Sequence, residues 1–114
     1  MRIGVVGSRS FADYDLLCRT LDQYEGITEI ISGGARGADT LAEMYARHRA
    51  LPVKVFPAEW DKYGKSAGFR RNADIVKNSD IIVAFWDGKS KGTKHTIDLA
   101  RRYFKEVKII KFGA

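Results

Sequence analysis

The stretch ITEIISGGARGAD, residues 27–39, decides the fold that we expect for this chain. It opens with a short apolar run at residues 27–31 and continues into a loop that carries three glycines. From residue 38 to residue 49 the apolar side chains recur at helical spacing. A short apolar run, a glycine loop and an amphipathic helix in this order are typical of a strand buried in a parallel sheet.

The same order of strand, loop and helix recurs along the 114 residues. The pattern predicts five strands, at residues 2–6, 27–31, 52–56, 80–85 and 107–111. It predicts four helices, at residues 14–24, 38–49, 67–78 and 93–104, and a surface loop at 57–66. Connections of this kind are right-handed and place helices on both faces of the sheet. We therefore expect one α/β domain over residues 1–114, with a Rossmann-like three-layer α/β/α architecture and a mainly parallel five-stranded sheet.

Composition narrows the class of protein. The longest apolar runs are far shorter than the roughly 20 residues that span a bilayer. The residues after Met1 do not show the basic stretch and apolar core of a secretory signal. We therefore expect a cytoplasmic protein with no membrane segment. Cys18 is the single cysteine, and it and the two histidines lie too far apart in sequence for zinc-ligand spacing. We expect neither a metal nor a resident cofactor.

The net charge of +6 is unevenly distributed. Residues 1–57 hold 7 basic and 7 acidic side chains, whereas residues 58–114 hold 13 and 7. A basic field favours anionic partners, meaning phosphorylated small molecules or nucleic acid, without choosing between them. A solvated helix face and strand edge between residues 101 and 111 account for part of the excess.

Glycine-rich loops follow the first, second and fourth predicted strands. In a parallel sheet these loops emerge at one edge, so we expect them to converge on one crevice. The free N–H groups and the dipole at helix starts bind anions, and phosphate fits that requirement. The residues that we expect to bind the ligand, including two at the third predicted helix, are Gly7, Ser8, Arg9, Gly33, Gly34, Arg36, Gly37, Asp39, Arg71, Asn72, Trp86, Gly88, Ser90, Gly92 and Thr93.

Two arginines are the strongest cation candidates. We expect Arg36 and Arg71 to contact the ligand, because guanidinium binds phosphate through two parallel hydrogen bonds; a surface ion pair is the alternative for each. Asp39 either binds a ribose hydroxyl or orients Arg36. Asn72 either contacts the ligand or caps its helix. The motifs GxGxxG and GxxxxGK[ST] are absent, which disfavours a conventional NAD enzyme and a P-loop NTPase.

The aromatic and histidine side chains near these loops have competing interpretations. Trp86 either packs or stacks on a base, since a large aromatic beside a loop can do either. For Trp60 we expect packing. His95 lies one turn into the last predicted helix; we expect it at the surface, and the alternative is that it approaches a phosphate.

The blocks SGGARGAD at 32–39 and AGFRRN at 67–72, together with the GSR turn at 7–9 and the Gly92-Thr93 turn, resemble the YspA-related branch of the SLOG superfamily. This superfamily includes the LOG phosphoribohydrolases and DNA-processing protein A, and many members come from bacteria and phages. The resemblance covers nearly the whole chain and implies a Rossmann-type sheet that binds a nucleotide or nucleotide-derived signal. It implies that Gly33, Gly34 and Gly37 form one wall of the site and that Gly92 and Thr93 form a phosphate-binding turn. By analogy it also implies a homodimer.

One departure from the related enzymes bears on catalysis. In LOG enzymes the second motif reads PGGxGTxxE, and its glutamate acts with an arginine from the preceding helix to cleave an N-glycosidic bond. Here Thr96 stands at the glutamate position, while Arg71 stands where the arginine does. We therefore expect binding or sensing of a nucleotide or nucleotide-derived phosphorylated ligand. Two alternatives stay open: a nucleoside monophosphate phosphoribohydrolase with Arg71 as its catalytic cation, and a nucleic-acid-binding module of the DNA-processing type.

Overall fold

The computed structural model describes residues 1–113 and contains a five-stranded sheet with helices on both faces. The strands are β1 (Arg2–Gly7), β2 (Glu29–Ser32), β3 (Val53–Val55), β4 (Ile81–Trp86) and β5 (Glu106–Lys111). The helices are α1 (Tyr14–Leu21), α2 (Ala38–His48), α3 (Trp60–Tyr63), α4 (Ala67–Asn78) and α5 (Lys91–Arg102). All four strand pairings are parallel. The Rossmann-like α/β fold predicted from the sequence is confirmed.

The two faces of the sheet bury separate apolar clusters. On one face, α1 and α2 pack Leu17, Leu21 and Ala42 against strand residues that include Ile3 and Val5. On the other face, the cluster contains Ile75 and Val76 of α4, Ile97 and Ala100 of α5, and Ile82 of β4. Because β1 and β4 are covered on both sides, they need apolar residues at successive positions rather than at alternate ones. This explains why their sequences read as continuous apolar runs.

The strand order determines where a crevice opens. The order is β3-β2-β1-β4-β5, so the chain first moves outward from β1 and then returns through α3 and α4 to place β4 on the other side of β1. The loops that follow β1 and β4 therefore lead to helices on opposite faces. Ligands of open α/β sheets bind at such a reversal, outside the carboxyl ends of the strands.

The prediction of a loop without secondary structure at residues 57–66 is wrong in detail. This segment contains α3 and a 3₁₀ turn at Gly64–Ser66. The N–H groups of Lys62 and Tyr63 donate to the Glu59 carbonyl at 3.1 and 3.0 Å, which closes the helical turn. Its four residues are too few to show helical periodicity in the sequence.

Candidate functional site

A cleft of about 490 Å³ opens at the carboxyl ends of β1 and β4. We call it the first cleft. Its lining comes from three strand-to-helix loops and from α4: Val6, Gly7, Ser8, Arg9, Ser10, Ala35, Asp39, Arg71, Asn72, Ile75, Asp87, Ser90, Gly92, Thr93 and Thr96. Its volume lies within the range of small-molecule sites, about 300–1,000 Å³. The structure thus brings together the three loops that the sequence indicated.

A second cleft of about 460 Å³ adjoins the first. The two clefts share Arg9, Ala35 and Arg71. The remaining lining of the second cleft is Gly33, Gly34, Arg36, Pro57, Ala58 and Trp60. The expected ligand-binding residues are therefore divided between two connected spaces, with Arg71 and Arg9 at their boundary.

The loops after β1 and β4 are joined by hydrogen bonds at the base of the first cleft. The Ser8 N–H donates to the Phe85 carbonyl at 3.0 Å, and the Asp87 N–H donates to Ser8 Oγ at 3.2 Å. Asp87 Oδ1 accepts the N–H groups of Lys89 and Ser90, both at 2.8 Å. These backbone bonds lower the pKa of Asp87. Its carboxylate therefore organises the turn that leads into α5.

The first turn of α5 presents donors to the first cleft. Ser90 is the N-cap, and its Oγ accepts the Thr93 N–H at 3.4 Å. Helix starts leave N–H groups without helical acceptors, and within residues 1–113 those of Lys91 and Gly92 have none. The buried Thr96 hydroxyl donates to the Gly92 carbonyl at 3.2 Å. The first turn of α5 therefore has free N–H donors that can bind an anion, and residue 96 contributes a hydroxyl rather than a carboxylate to the cleft.

Arg71 is positioned by neutral acceptors. Its Nη1 donates to the Gly33 carbonyl at 2.9 Å, and its Nε donates to Asn72 Oδ1 at 3.0 Å. The Nη2 end has no acceptor among residues 1–113. Within residues 1–113 no ion pair joins this guanidinium to a carboxylate, and it keeps a free pair of donors at the boundary of the two clefts.

Asn72 connects α4 to α5. Its Nδ2 donates to the Gly92 carbonyl at 3.4 Å and lies 3.2 Å from His95 Nδ1. His95 was expected at the surface, and this is wrong: the ring is half-buried, and its centroid lies 4.5 Å from that of Phe69. Burial lowers the pKa of His95, so the neutral ring can accept the Asn72 amide. Asn72 thus contacts the site's framework as well as lining the cleft, and it is not a helix cap.

Asp39 is the buried carboxyl of the first cleft, with 7% of the residue exposed. Burial raises its pKa to about 6, against the N–H bond from Ala35 at 3.1 Å and the nearby charge of Arg71. A Cβ atom on Gly33 would lie 2.9 Å from Asp39 Oδ2 and 2.7 Å from Arg71 Nη1. Gly33 therefore allows these two side chains to approach one strand end. No ion pair joins Asp39 to Arg36 within residues 1–113, so an orienting role toward Arg36 is not seen.

Three expected ligand residues lie outside both clefts. Gly37 has φ 76°, and a Cβ atom there would collide with the Ser8 carbonyl, so it holds two loops together. Trp86 packs against the second apolar cluster and donates its Nε1–H to the Ser90 carbonyl at 3.1 Å. Gly88 lies beside the side chain of Lys111. The structure gives these residues positions that shape the loops rather than the walls.

Trp60 was expected to pack, and this is wrong. The residue is 56% exposed at the edge of the second cleft. It starts the surface helix α3, and a Cβ on Gly68 would lie 3.4 Å from its Cη2. The position of Trp60 three residues after Pro57, in a segment without apolar periodicity, is the one sequence signal for its exposure.

The charges of the two clefts favour an anion. Arg9 and Arg36 are exposed, and neither makes a side-chain hydrogen bond or ion pair with residues 1–113. Among residues 1–113, no group of three His, Cys, Asp or Glu side chains is placed to hold a metal ion. The helices of this part of the chain are all too short or too polar to span a membrane. Chemically, the arrangement offers guanidinium groups and N–H donors.

One protein family and one phage protein resemble the chain in sequence. Residues 1–63 match the family described as the YspA, cpYpsA-related SLOG family. The gene 61 protein of Mycobacterium phage D29 is 33% identical over 122 aligned positions, which cover 98% of this chain and 96% of the phage protein. The likeness to the phage protein thus extends over nearly the full length of both.

Two solved structures share the fold. DNA processing protein A from Streptococcus pneumoniae has a TM-score of 0.79 and 20% identity, over 98% of this chain and 50% of that one. DNA processing protein A from Helicobacter pylori, which binds single-stranded DNA in a mode described as unique, has a TM-score of 0.70 and 20% identity, over 99% of this chain and 66% of that one. The chain thus spans half to two thirds of these proteins, and the likeness shows the fold alone.

Proposed function

This chain belongs to the YspA, cpYpsA-related SLOG family, and from that premise we propose that it binds the phosphate of a nucleotide or nucleotide-derived ligand in the first cleft. One observation carries the proposal: Arg71, held at the carboxyl ends of the strands by neutral acceptors, faces the same cleft as the first turn of α5. The function is binding or sensing, without a chemical step.

The donors suit a phosphate group. Arg71 offers its free Nη2 end, and Gly92 offers an unpaired N–H at the start of α5. Hydrogen bonds to charged groups contribute about 1.5–3 kcal/mol each, and an exposed helix N-terminus adds about 0.3–1 kcal/mol. Arg9 adds a further exposed cation to the lining of the first cleft. A nucleoside without phosphate would lose most of these contacts.

The carboxyl groups of the cleft support binding rather than hydrolysis. Asp87 Oδ1 is occupied by two backbone N–H groups, and Thr96 replaces the glutamate used by related hydrolases. General acid–base catalysis needs a proton-transfer group within hydrogen-bond reach of the leaving group or water. Asp39 is the carboxyl left in the lining, and its oxygen already accepts the Ala35 N–H. This arrangement favours a site that holds its ligand intact.

Thermal shift and calorimetry with nucleoside monophosphates test the proposal. We expect monophosphates to stabilise the protein and the matching nucleosides not to, because a ligand at 100 times its Kd adds about 2.7 kcal/mol to the free energy of unfolding. Arg71→Met should abolish the stabilisation. Arg70→Met is the matched control, because Arg70 lines neither cleft and its Nε donates to Ser66 Oγ at 3.2 Å.

Chromatography of the same mixtures separates binding from hydrolysis. We expect no free base to be released. Release that disappears in Arg71→Met would refute a pure binding role and favour the phosphoribohydrolase alternative. Light scattering on these samples, with and without nucleotide, tests the homodimer that we propose by analogy with the family.

A second candidate function, binding of single-stranded nucleic acid, is favoured by the second cleft, which adjoins the first and shares Arg9, Ala35 and Arg71 with it. Arg9, Arg71 and Arg36 line the two clefts, and the structurally similar protein from Helicobacter pylori binds single-stranded DNA. Fluorescence anisotropy of labelled oligo(dT) at several salt concentrations tests it. If mononucleotides do not stabilise the protein while the oligomer binds with a log–log salt slope of about −0.7 per phosphate contacted, this second function replaces the first.

A further inference from the structure

The second cleft leaves a space that one bound nucleotide does not use. It has about 460 Å³, nearly the volume of the first cleft, and it opens on the other side of Arg71 and Arg9. A phosphate held by Arg71 would therefore lie at the boundary of two spaces of similar size. Its second ester oxygen could continue the ligand into the second cleft.

Trp60 gives the second cleft an aromatic surface. The residue is 56% exposed, and within residues 1–113 its ring makes no stacking contact with another aromatic side chain. The backbone that carries Trp60 is ordered by the bonds to the Glu59 carbonyl, and Ser66 Oγ donates to the Tyr63 carbonyl at 3.0 Å. The ring is thus presented on a hydrogen-bonded segment.

The other walls of the second cleft suit a flat ring. Gly33 and Gly34 contribute backbone without side chains, and Pro57 and Ala58 contribute small apolar surfaces. Arg36 lines the same space and is exposed. Aromatic side chains bind bases through stacking that tolerates any base, because every base has a π-face. An exposed tryptophan beside unpaired arginines matches that chemistry.

We infer that the ligand is a pair of nucleosides joined by a phosphodiester, with one nucleoside in the first cleft, the linking phosphate at Arg71 and Arg9, and the second base stacked on Trp60 in the second cleft. This rests on the proposed function, because it takes the phosphate position from it. Such a pair can be a free dinucleotide or two successive units of a single strand. Both sources share the chemistry that the two clefts recognise.

Calorimetry with three ligands tests the inference. The ligands are AMP, adenosine 3′,5′-bisphosphate and the dinucleotide pApA, the last two of which carry two phosphates each. Stacking on an aromatic side chain corresponds to roughly 5- to 150-fold in affinity. We expect pApA to bind more tightly than the bisphosphate by a factor in this range. Equal affinities would overturn the inference.

Variants of Trp60 assign the gain to its ring. In Trp60→Ala we expect the pApA advantage to disappear while AMP affinity stays unchanged, and in Trp60→Phe we expect most of it to remain. Phe104→Ala is the matched control, because Phe104 is 95% exposed and lines neither cleft. A pApA advantage that survives Trp60→Ala, or a loss of AMP binding in Trp60→Ala, would overturn the role of Trp60.

The same calorimetry distinguishes a failure of the proposed function from a failure of this inference. If none of the three ligands binds, the proposed function fails; if AMP binds and pApA gains nothing, only the inference fails. Tryptophan fluorescence of the wild type, compared with Trp60→Phe, adds a direct readout: pApA should quench the Trp60 component and AMP should not. An oligo(A) of 12 nucleotides identifies the source: after division by its number of overlapping dinucleotide registers, an affinity above that of pApA indicates a strand, and an affinity equal to or below that of pApA indicates a free dinucleotide.

Discussion

Replacing Asp39 by asparagine should change the pH dependence of stability more than the stability itself. The substitution keeps the size of the side chain and an oxygen that can accept the Ala35 N–H, now made at 3.1 Å. It removes the one group of the first cleft whose pKa burial raises to about 6, in opposition to the Ala35 bond and the charge of Arg71. Any difference between the two proteins that varies with pH therefore reports this carboxyl.

The sign and the magnitude of the pH-dependent change in the free energy of unfolding follow from the difference between the pKa values of Asp39 in the folded and unfolded states. The pKa of Asp39 is about 6 in the folded state and 3.8 in the ordinary case, so the folded protein binds the extra proton between these pH values. The stability that Asp39 contributes is fully present below about pH 4 and is lost as the pH rises through 6. A difference of this size corresponds to about 3 kcal/mol, since one pKa unit is about 1.4 kcal/mol. The free energy of unfolding of Asp39→Asn should lack this loss.

Urea denaturation of both proteins between pH 4 and pH 8 measures the effect. The free energy of unfolding of Asp39→Asn minus that of the wild type should rise by about 2 kcal/mol across this range, since part of the full difference is already lost at pH 4. Asp80→Asn is the control, because the Arg2 N–H lowers the pKa of Asp80, so the stability that Asp80 contributes is lost only as the pH falls below about 4 and its difference from wild type should stay nearly flat across this range. A difference for Asp39→Asn that stays flat, or that falls as the pH rises, would refute the burial of an uncompensated carboxyl at this position.

The same substitution tests the ligand site. The linking phosphodiester of ApA keeps one charge over this pH range, so a change in its affinity reports the protein. Wild-type protein should bind ApA more tightly at pH 5 than at pH 7, because protonation of Asp39 removes a negative charge from the wall beside Arg71. In Asp39→Asn the part of this change that comes from Asp39 should vanish, and any remainder reports groups such as His95. A pH dependence equal in both proteins would place the ligand elsewhere.

Three further predictions concern the loops and caps. Gly37→Ala should lower the free energy of unfolding by at least 1–2 kcal/mol, because φ is 76° and the new Cβ meets loop carbonyls; a stability within 0.5 kcal/mol of wild type in urea would contradict the packing of the two loops. Ser90→Ala should cost about 1 kcal/mol, since it removes the N-cap bond to the Thr93 N–H, and it should lower Tm by about 4 °C in calorimetry; an unchanged Tm would show that the cap contributes nothing. Phe104→Gly should stabilise by roughly 0.5–1 kcal/mol, because Phe104 has φ 59° at the end of α5, and a loss of stability in urea would refute the strain assigned to it.

The sequence predicts those parts of the fold that local pattern controls. The strands β1 and β4 are buried on both faces, so their continuous apolar runs identify them directly. The short strand β3 has exposed residues at the sheet edge, and its prediction at 52–56 depended on the surrounding order of elements as much as on its own residues. The convergence of three loops follows from parallel strands alone, and therefore could be predicted without side-chain positions.

The properties of individual site residues depend on contacts between distant parts of the chain. Arg71 could be selected as a cation near a loop, but its neutral acceptor, the Gly33 carbonyl, lies 38 residues away in sequence. His95 and Asn72 meet across α4 and α5, which the helical patterns do not specify. Trp60 is exposed because a four-residue helix turns it outward. The sequence carries no periodic signal for any of these three arrangements.

The way in which Arg71 is positioned connects the fold to the proposed function. A carboxylate partner would have fixed the guanidinium equally well, but it would have neutralised the charge that an incoming phosphate needs. The structure uses the Gly33 carbonyl and the Asn72 amide oxygen instead, and burial raises the pKa of Asp39 to about 6, so that this carboxyl loses its negative charge as the pH falls below 6. At Thr96 a hydroxyl replaces a further carboxylate and bonds to the backbone of its own helix. Each of these features reduces negative charge in the first cleft, and such a cleft is suited to hold an anion and poorly equipped to activate water against it.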